Sequence, residues 1–262
     1  MLQSDENWQL TPVKGSTGNT FYGTLGSQQA FIKRNATPLL AAVAREEIAP
    51  KLLWSRRTRT GDTLSAQEWI HGGVLTSAEM TDNQINIVLG KLHRSRNLVD
   101  TFMKMGNLAF GPMELLNDCY QDSHENIEKN SFLKNIFDKM REDIPPFDVR
   151  ECVVVHGDVN HKNWIRSNTQ KIYLVDWETA MLADPLVDVS HILSHYIDPR
   201  NWNTWLVYSG YKLRPELLKS ILWYGQLSFF RQIALYFKED DIYRVNREIY
   251  GLRKFCEAFE NI

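Results

Sequence analysis

Three oxygen-bearing side chains within one short stretch of the chain have types and spacing suited to phosphoryl transfer. His156-Gly157-Asp158 is followed five residues after the aspartate by Asn163, and Asp176 ends an apolar run. A hydroxyl that attacks the γ-phosphate of a nucleotide needs a carboxylate to orient it and accept its proton, and Mg²⁺ needs hard oxygen ligands. The spacing therefore predicts Asp158 as the catalytic base, with Asn163 and Asp176 as ligands of the metal ion.

The apolar pattern around these residues predicts how they are held. A β-branched run at residues 152–155 precedes Asp158, and two extended stretches at 164–166 and 171–175 are separated by a polar turn. The first two functional side chains are therefore predicted on a loop between strands, and Asp176 at a strand end. Such positions hold side chains firmly at the mouth of a cleft.

A nucleotide site also needs groups for the phosphates, and the N-terminal region offers a candidate loop. Residues 8–13 and 20–25 alternate like the two strands of a hairpin. The backbone N–H groups of the loop that connects these strands could cover the phosphates, although the loop lacks the full three-glycine pattern. The connecting loop contains Gly15, Ser16, Thr17 and Gly18.

Lys33 is the predicted cation for the α- and β-phosphates. It ends the apolar strand of residues 30–33, and a helix is predicted from 39 to 54. Either Glu46 or Glu47 could hold the lysine by an ion pair. Helical spacing favours Glu46, because it shares one face with the apolar residues of the helix.

A second hairpin is predicted to lead into the junction between two lobes. Residues 57–60 and 64–70 flank a Gly61-Asp62 turn. The backbone groups of Glu68 and Ile70 could then pair with the edge of an adenine. The predicted lobes are residues 1–70, which bind the nucleotide, and residues 71–262, which carry the catalytic loop and the acceptor site.

The motifs together resemble the aminoglycoside phosphotransferase and choline kinase superfamily, over nearly the whole chain. Its signature corresponds here to residues 156–163, 175–178 and 184–188. The resemblance implies an α+β, protein-kinase-like fold with two lobes, one a small antiparallel sheet plus one helix and the other mostly helical. It also implies ATP and Mg²⁺ as cofactors, and the roles given above for Asp158, Lys33 and Glu46.

More narrowly, three segments resemble the CcrZ/YtmP branch found in Gram-positive bacteria. They are residues 44–57, 67–69 and 92–96. The branch implies a role in cell-division control through the tubulin-like protein FtsZ, with recruitment to the division site, and a suspected activity on nucleosides. The alternatives are a kinase of choline or ethanolamine, and a division scaffold that binds FtsZ with catalysis secondary.

Two departures from protein kinases favour a small-molecule acceptor. Gly157 stands where a protein kinase has an arginine that grips an activating phosphate. Only seven residues separate Asp176 from Asp184, too few for an activation loop that docks a peptide. Asp184 and Asp188 start a helix with Pro185, and they are predicted to cap it and to brace the catalytic loop.

The C-terminal third carries aromatic stripes at helical spacing. Such residues could cage a quaternary ammonium or stack on a base, but stripes of this kind are more typical of burial between helices. Polycationic aminoglycosides would need several acidic side chains around the acceptor, and the motif region has few beyond the catalytic ones.

The composition is that of a soluble cytoplasmic enzyme. The 262 residues carry a net charge of −2, which provides no electrostatic footprint for nucleic acid or anionic lipid. Three widely spaced cysteines suggest neither a disulfide framework nor a zinc site. The N-terminal sequence is polar and acidic, unlike a signal peptide, and no apolar run is long enough for membrane insertion.

Overall fold

The N-terminal lobe is a five-stranded antiparallel sheet with one helix. The structure is a computed structural model that describes residues 8–13 and 19–260. The strands follow the order β1-β2-β3-β5-β4, and the helix α1 spans Leu39–Arg45. The strands are β1 Gln9–Pro12, β2 Thr20–Leu25, β3 Gln28–Arg34, β4 Leu52–Arg57 and β5 Thr63–Glu68.

The C-terminal lobe is mostly helical, with two small antiparallel sheets. One sheet has the order β6-β8-β9, and the other pairs β7 with β10. These strands are β6 Gly72–Val74, β7 Val153–Val155, β8 Trp164–Ser167, β9 Ile172–Leu174 and β10 Met181–Ala183. The helices are α2 Asn83–Arg94, α3 Arg96–Lys104, α4 Pro112–Lys129, α5 Ser131–Glu142, α6 Leu186–Tyr196, α7 Trp202–Tyr208, α8 Pro215–Lys238 and α9 Ile242–Phe259. No helix in the described residues is long and apolar enough to cross a membrane.

The helix predicted for residues 39–54 is too long. It ends at Arg45, and Glu47 has a left-handed backbone with a φ of 57°. Pro50 lacks the N–H that a helix would need and disfavours helical geometry in the residue before it. The chain then continues as β4, which pairs with β5. A hairpin therefore exists here, but its first strand ends at Arg57, where the predicted strand of residues 57–60 begins, and its second strand ends at Glu68 instead of residue 70.

The helix α1 packs with the C-terminal lobe. Its buried residues Leu39, Leu40 and Val43 belong to the large hydrophobic cluster of that lobe, whereas the N-terminal sheet has a separate small core. The segment after α1 is also attached there, because the N–H of Leu174 in β9 donates to the carbonyl of Ile48 at 2.9 Å. The contacts of α1 and Ile48 with the C-terminal lobe cross the predicted lobe boundary at residues 70 and 71. This boundary therefore stays a prediction.

Most of the aromatic stripes are buried, as their spacing indicated. Tyr208, at 69% exposure, is an exception. The buried members include Trp202, Trp205, Trp223, Tyr224, Phe229 and Phe230.

A buried histidine lies where α6 packs on α8. Nδ1 of His191 is 2.7 Å from Oγ of Ser228, and the ring stacks on His195 at 4.4 Å. Burial lowers the pKa of His191 well below its ordinary value of 6.5, and the nearby His195 and Arg231 act in the same direction. The imidazole is therefore neutral in the folded protein at pH 7.

This neutral imidazole should make stability depend on pH. Because the pKa of His191 is lower in the folded chain than the unfolded value of 6.5, the unfolded chain binds more protons just below pH 6.5. The free energy of unfolding should therefore fall as pH drops from 7 to 5. In His191→Asn, which keeps a polar group beside Ser228, this slope should decrease by about 1.4 kcal/mol per pH unit in urea unfolding experiments. An unchanged slope would contradict the assignment.

Candidate active site

The predicted catalytic loop leaves β7 through a buried histidine, His156, and a glycine with a left-handed backbone, Gly157. Nε2–H of His156 donates to the carbonyl of Val175 at 3.0 Å, and its Nδ1 accepts from the N–H of Asp158 at 3.3 Å. Burial lowers the pKa of His156, in keeping with this neutral form. Gly157 has a φ of 78°, and a Cβ there would come within 2.5 Å of the carbonyl oxygen of Thr179. A larger residue at position 157 would therefore displace the loop.

Two asparagines hold the carboxylate of Asp158. Nδ2 of Asn160 donates to Oδ1 at 2.7 Å, and Nδ2 of Asn163 donates to Oδ2 at 3.0 Å. Nδ2 of Asn163 also donates to the carbonyl of Asp158 at 2.8 Å. Each carboxylate oxygen retains a lone pair for a substrate hydroxyl.

Asp188 supports the loop at His156 and Gly157 through hydrogen bonds to its backbone, as the position of Asp188 in the sequence predicted. Its carboxylate is fully buried and accepts from the N–H of His156 at 2.8 Å and from the N–H of Gly157 at 2.9 Å. Nε2 of His93 lies 3.0 Å from the same group. Burial alone would raise the pKa of Asp188, but the contacts with His93 and the loop lower it below its ordinary value. The carboxylate is therefore ionised.

Asp184 caps the helix α6, also as predicted. Its Oδ1 accepts from the N–H of Leu186 at 2.8 Å. Burial raises the pKa of Asp184.

Lys33 pairs with two carboxylates after β9, and the predicted pairing with Glu46 is wrong in this structure. Its Nζ lies 3.0 Å from Oδ1 of Asp176 and 2.6 Å from Oε1 of Glu178. Glu46 instead accepts from Oγ of Ser95 at 2.9 Å. Glu46 is the C-cap of α1, and its carboxylate is bound by Ser95, the N-cap of α3, instead of by Lys33.

Lys33 is positively charged, and its carboxylate partners can be replaced. Burial alone would lower the pKa of Lys33, whereas Glu178 and Asp176 raise it above its ordinary value. The side chains of Asp176 and Glu178 are 53% and 69% exposed, so water screens both ion pairs. An incoming phosphate could therefore replace either carboxylate.

The backbone around Asp176 brings it to Asn163. The N–H of Val175 donates to the carbonyl of Asn163 at 2.9 Å. Asp176 itself has a left-handed φ of 66° and starts a short 3₁₀ turn at Trp177–Thr179. Such a backbone costs about 1–3 kcal/mol in a residue other than glycine, and it is typical of functional sites.

Two cavities meet at Glu178, which lines both. The larger, about 680 Å³, lies between the lobes and is lined by Lys33 and by four of the other predicted nucleotide and metal residues, but not by Glu46. These are Glu68, Ile70, Asn163 and Asp176. The smaller, about 480 Å³, is lined by Asp158 and by Arg231 of α8. We call them the nucleotide cavity and the acceptor cavity.

The structure adds residues to the candidate site that were not predicted from the sequence, and it does not test the predicted phosphate loop. Glu178 and Lys162 line the nucleotide cavity, and Arg231 lines the acceptor cavity. Glu178 stands in the recognised motif two residues after Asp176, so its spacing could have suggested it. The predicted phosphate loop of Gly15, Ser16, Thr17 and Gly18 lies outside the described residues.

The oxygen donors suit Mg²⁺ that is bound jointly with phosphate. Within residues 8–13 and 19–260, no cluster of three or more His, Cys, Asp or Glu side chains could hold a metal by itself. Asp176 offers a carboxylate, and Asn163 retains Oδ1 because its Nδ2 donates to Asp158. Mg²⁺ usually binds one or two protein groups together with phosphate oxygens and water. The metal-ligand roles remain predictions.

The family follows from a comparison with family models. The model described as the phosphotransferase enzyme family matches residues 33–210, well over half of the chain. The chain belongs to this phosphotransferase family. The match includes Lys33, the catalytic loop, Asp176 and Asp188, but ends before α8.

Solved structures agree on the fold of this phosphotransferase. A candidate aminoglycoside phosphotransferase from Ralstonia eutropha has a TM-score of 0.73 and 15% identity, over 98% of this chain and 94% of that chain. The choline kinase LicA from Streptococcus pneumoniae has a TM-score of 0.62 and 17% identity, over 94% and 93%. A spectinomycin phosphotransferase in complex with ADP and spectinomycin has a TM-score of 0.60 and 17% identity, over 97% and 88%. The predicted two-lobed, kinase-like α+β fold is thus confirmed.

Proposed function

We propose that this protein is an ATP-dependent kinase that transfers the γ-phosphate to a hydroxyl of a small molecule, namely a nucleoside or a similar alcohol. The observation that carries the proposal is the meeting of the two cavities at Glu178. The nucleotide cavity contains Lys33, Asn163 and Asp176, and the acceptor cavity contains Asp158. The phosphate in one cavity and the hydroxyl in the other can therefore approach each other beside the carboxylate of Glu178.

The nucleotide is proposed to bind between the lobes. The adenine edge would pair with the backbone of Glu68 and Ile70, and Lys33 would bind the α- and β-phosphates. The loop of residues 15–18 would cover the phosphates. Mg²⁺, held by Asn163 and Asp176, would neutralise charge on the phosphate oxygens.

Asp158 is proposed to orient the acceptor and take its proton. A bond forms between the hydroxyl oxygen and the γ-phosphorus, the bond from that phosphorus to the oxygen of ADP breaks, and the proton passes to the carboxylate. Asn160 and Asn163 fix the carboxylate so that little reorganisation is needed. Asp188 holds the loop that carries it.

The acceptor cavity favours a nucleoside over choline, ethanolamine or an aminoglycoside. Among its described lining residues, Phe110 is the one aromatic side chain, so a cage for a quaternary ammonium is lacking. Arg231 and Lys238 also line the cavity and offset two of its three acidic side chains, which are Asp118, Asp158 and Glu178, so the cavity has little net charge to attract a polycation.

The resemblance to the CcrZ/YtmP branch extends the proposal to cell-division control. We propose that the enzyme is cytoplasmic and reaches the division site by contact with FtsZ. A scaffold without catalysis would not need the ordered carboxylate of Asp158 together with Lys33, Asn163 and Asp176. A pull-down with FtsZ, using wild type and Asp158→Ala, tests the contact separately from catalysis. Absence of FtsZ from both samples would contradict it.

The activity is tested by ADP release with a panel of alcohols that includes nucleosides, choline and kanamycin. ADP release should depend on Mg²⁺ and on the alcohol, and phosphorylated alcohol should form in equal amount. ADP release at the same rate with and without every alcohol would contradict a kinase of this class.

Lys33 provides a further prediction. In Lys33→Met the KM for ATP should rise by about 10- to 100-fold, because a charge-assisted phosphate contact is lost. Glu46→Gln is the matched test of the corrected pairing, and its KM for ATP should stay within about threefold of wild type, since Glu46 contacts Ser95. Steady-state kinetics measure the KM for ATP of both variants. An equal loss in both variants would show that Lys33 and Glu46 pair in the working enzyme.

A further inference from the structure

The acceptor cavity contains an arginine without a partner. Arg231 lies in α8, is half-buried, and has no ion pair or hydrogen bond with any other described residue. A half-buried guanidinium carries five N–H donors that water reaches only in part. An unpaired arginine in a cavity that also holds the catalytic carboxylate is therefore a candidate for binding the substrate.

A second polar region adjoins it. A small pocket, about 10 Å³ and so large enough for about one water molecule, lies behind Arg231 and Gln232. Two of its lining residues have buried polar atoms without a hydrogen-bond partner, Nε2 of His191 and the hydroxyl of Tyr224. Buried polar atoms are nearly always paired. This small pocket beside Arg231 is therefore suited to a polar group no larger than one water molecule.

The nearby charges restrict what that group can be. Of the acidic side chains in the acceptor cavity, Glu178 is paired with Lys33, and Asp158 is held by two asparagines. Asp118 is exposed on α4, where water weakens its field. Asp158 keeps its negative charge, because its asparagine partners are neutral. Arg231 is the cation of this cavity that has no ion pair with a described residue.

Guanidinium chemistry selects the ligand class. Arginine donates hydrogen bonds and accepts none, and its planar fork matches paired oxygen or nitrogen acceptors. An ammonium group would be repelled. Carbonyl oxygens, ring nitrogens and carboxylates would be bound.

We propose that Arg231, assisted by Gln232, selects the acceptor alcohol by binding an edge of hydrogen-bond acceptors on a part of the molecule other than the reacting hydroxyl. This inference rests on the proposed function. The acceptor class is then an alcohol that carries carbonyl oxygens, ring nitrogens or a carboxylate, and is neutral or anionic. The cavity of about 480 Å³ has the size of a small-molecule site.

The test compares Arg231→Met and Arg231→Lys with the matched control Lys219→Met, an exposed cation on the same helix outside both cavities. The probes are uridine and inosine for a neutral acceptor edge, gluconate for a carboxylate, and choline and kanamycin for ammonium groups. Melting temperatures establish that each variant is folded.

Wild type should phosphorylate uridine, inosine or gluconate with a kcat/KM at least about tenfold above that for choline and kanamycin. In Arg231→Met, the KM for the preferred alcohol should rise by about 10- to 100-fold, while kcat and the KM for ATP stay within about threefold. Arg231→Lys should lie between, because it keeps the charge and loses the fork. Lys219→Met should match wild type.

The outcomes separate the two proposals. If no alcohol is phosphorylated, the proposed function fails and this inference fails with it. If an alcohol is phosphorylated but its KM is the same in Arg231→Met, or choline or kanamycin is preferred, the inference alone is overturned. Preference for gluconate over the nucleosides would identify the bound group as a carboxylate.

Discussion

Asp158→Asn is expected to lower kcat for the phosphorylation of the preferred alcohol by about 10²- to 10⁴-fold, the usual contribution of a general base. The amide cannot accept the proton of the hydroxyl. It has nearly the same size as the carboxylate and keeps one acceptor oxygen for either Asn160 or Asn163. The KM for ATP should change little, because Asp158 is not among the residues that line the nucleotide cavity. Steady-state kinetics with purified protein measure both constants.

The control for this prediction is Asp138→Asn, an exposed carboxylate on α5. Its kcat should match wild type. The melting temperature of Asp158→Asn should also remain close to wild type, which would exclude unfolding as the cause. A kcat for Asp158→Asn within threefold of wild type would remove Asp158 from the role of catalytic base.

Asp188→Asn is expected to destabilise the fold by about 3–5 kcal/mol, the usual cost of breaking a buried charged contact. The carboxylate accepts from two backbone N–H groups of the catalytic loop and contacts His93, with no exposure to water. An asparagine has only one acceptor oxygen, so its NH₂ group would face a donor. Urea unfolding measures the loss, and kcat should fall as well because the loop loses its support.

The matched control is Asp198→Asn, whose carboxylate caps a short 3₁₀ turn at the surface. Stability should change far less there. Because the pKa of Asp188 is lowered in the folded protein, its contribution is present above the unfolded value of 3.8 and is lost as pH falls below it. Equal stability losses in the two variants would show that the buried contacts of Asp188 contribute nothing special.

The sequence was informative where function depends on local spacing. His156, Asp158 and Asn163 are close in sequence, and a short loop brings them together through bonds among its own residues. The role of Asp188 could also be predicted, since it starts a helix shortly after the strand that carries Asp176.

The sequence predictions were wrong or absent where contacts between distant segments of the chain determine the position of a side chain. Helical spacing favoured Glu46 as the partner of Lys33, but α1 ends at Arg45 and Ser95 of another segment binds Glu46. Arg231 lies far along the chain from the catalytic loop, on a helix whose sequence is dominated by buried residues. No local pattern indicates that one polar side chain of such a helix lines a cavity.

A crystal structure with a non-hydrolysable ATP analogue, Mg²⁺ and the preferred alcohol tests the central claim most directly. The account predicts the triphosphate in the nucleotide cavity, with Mg²⁺ about 2.0–2.1 Å from oxygens of Asn163 and Asp176. It also predicts the acceptor hydroxyl about 2.6–3.2 Å from the carboxylate of Asp158. A triphosphate bound elsewhere, or an alcohol whose hydroxyl groups all lie away from Asp158, would contradict it.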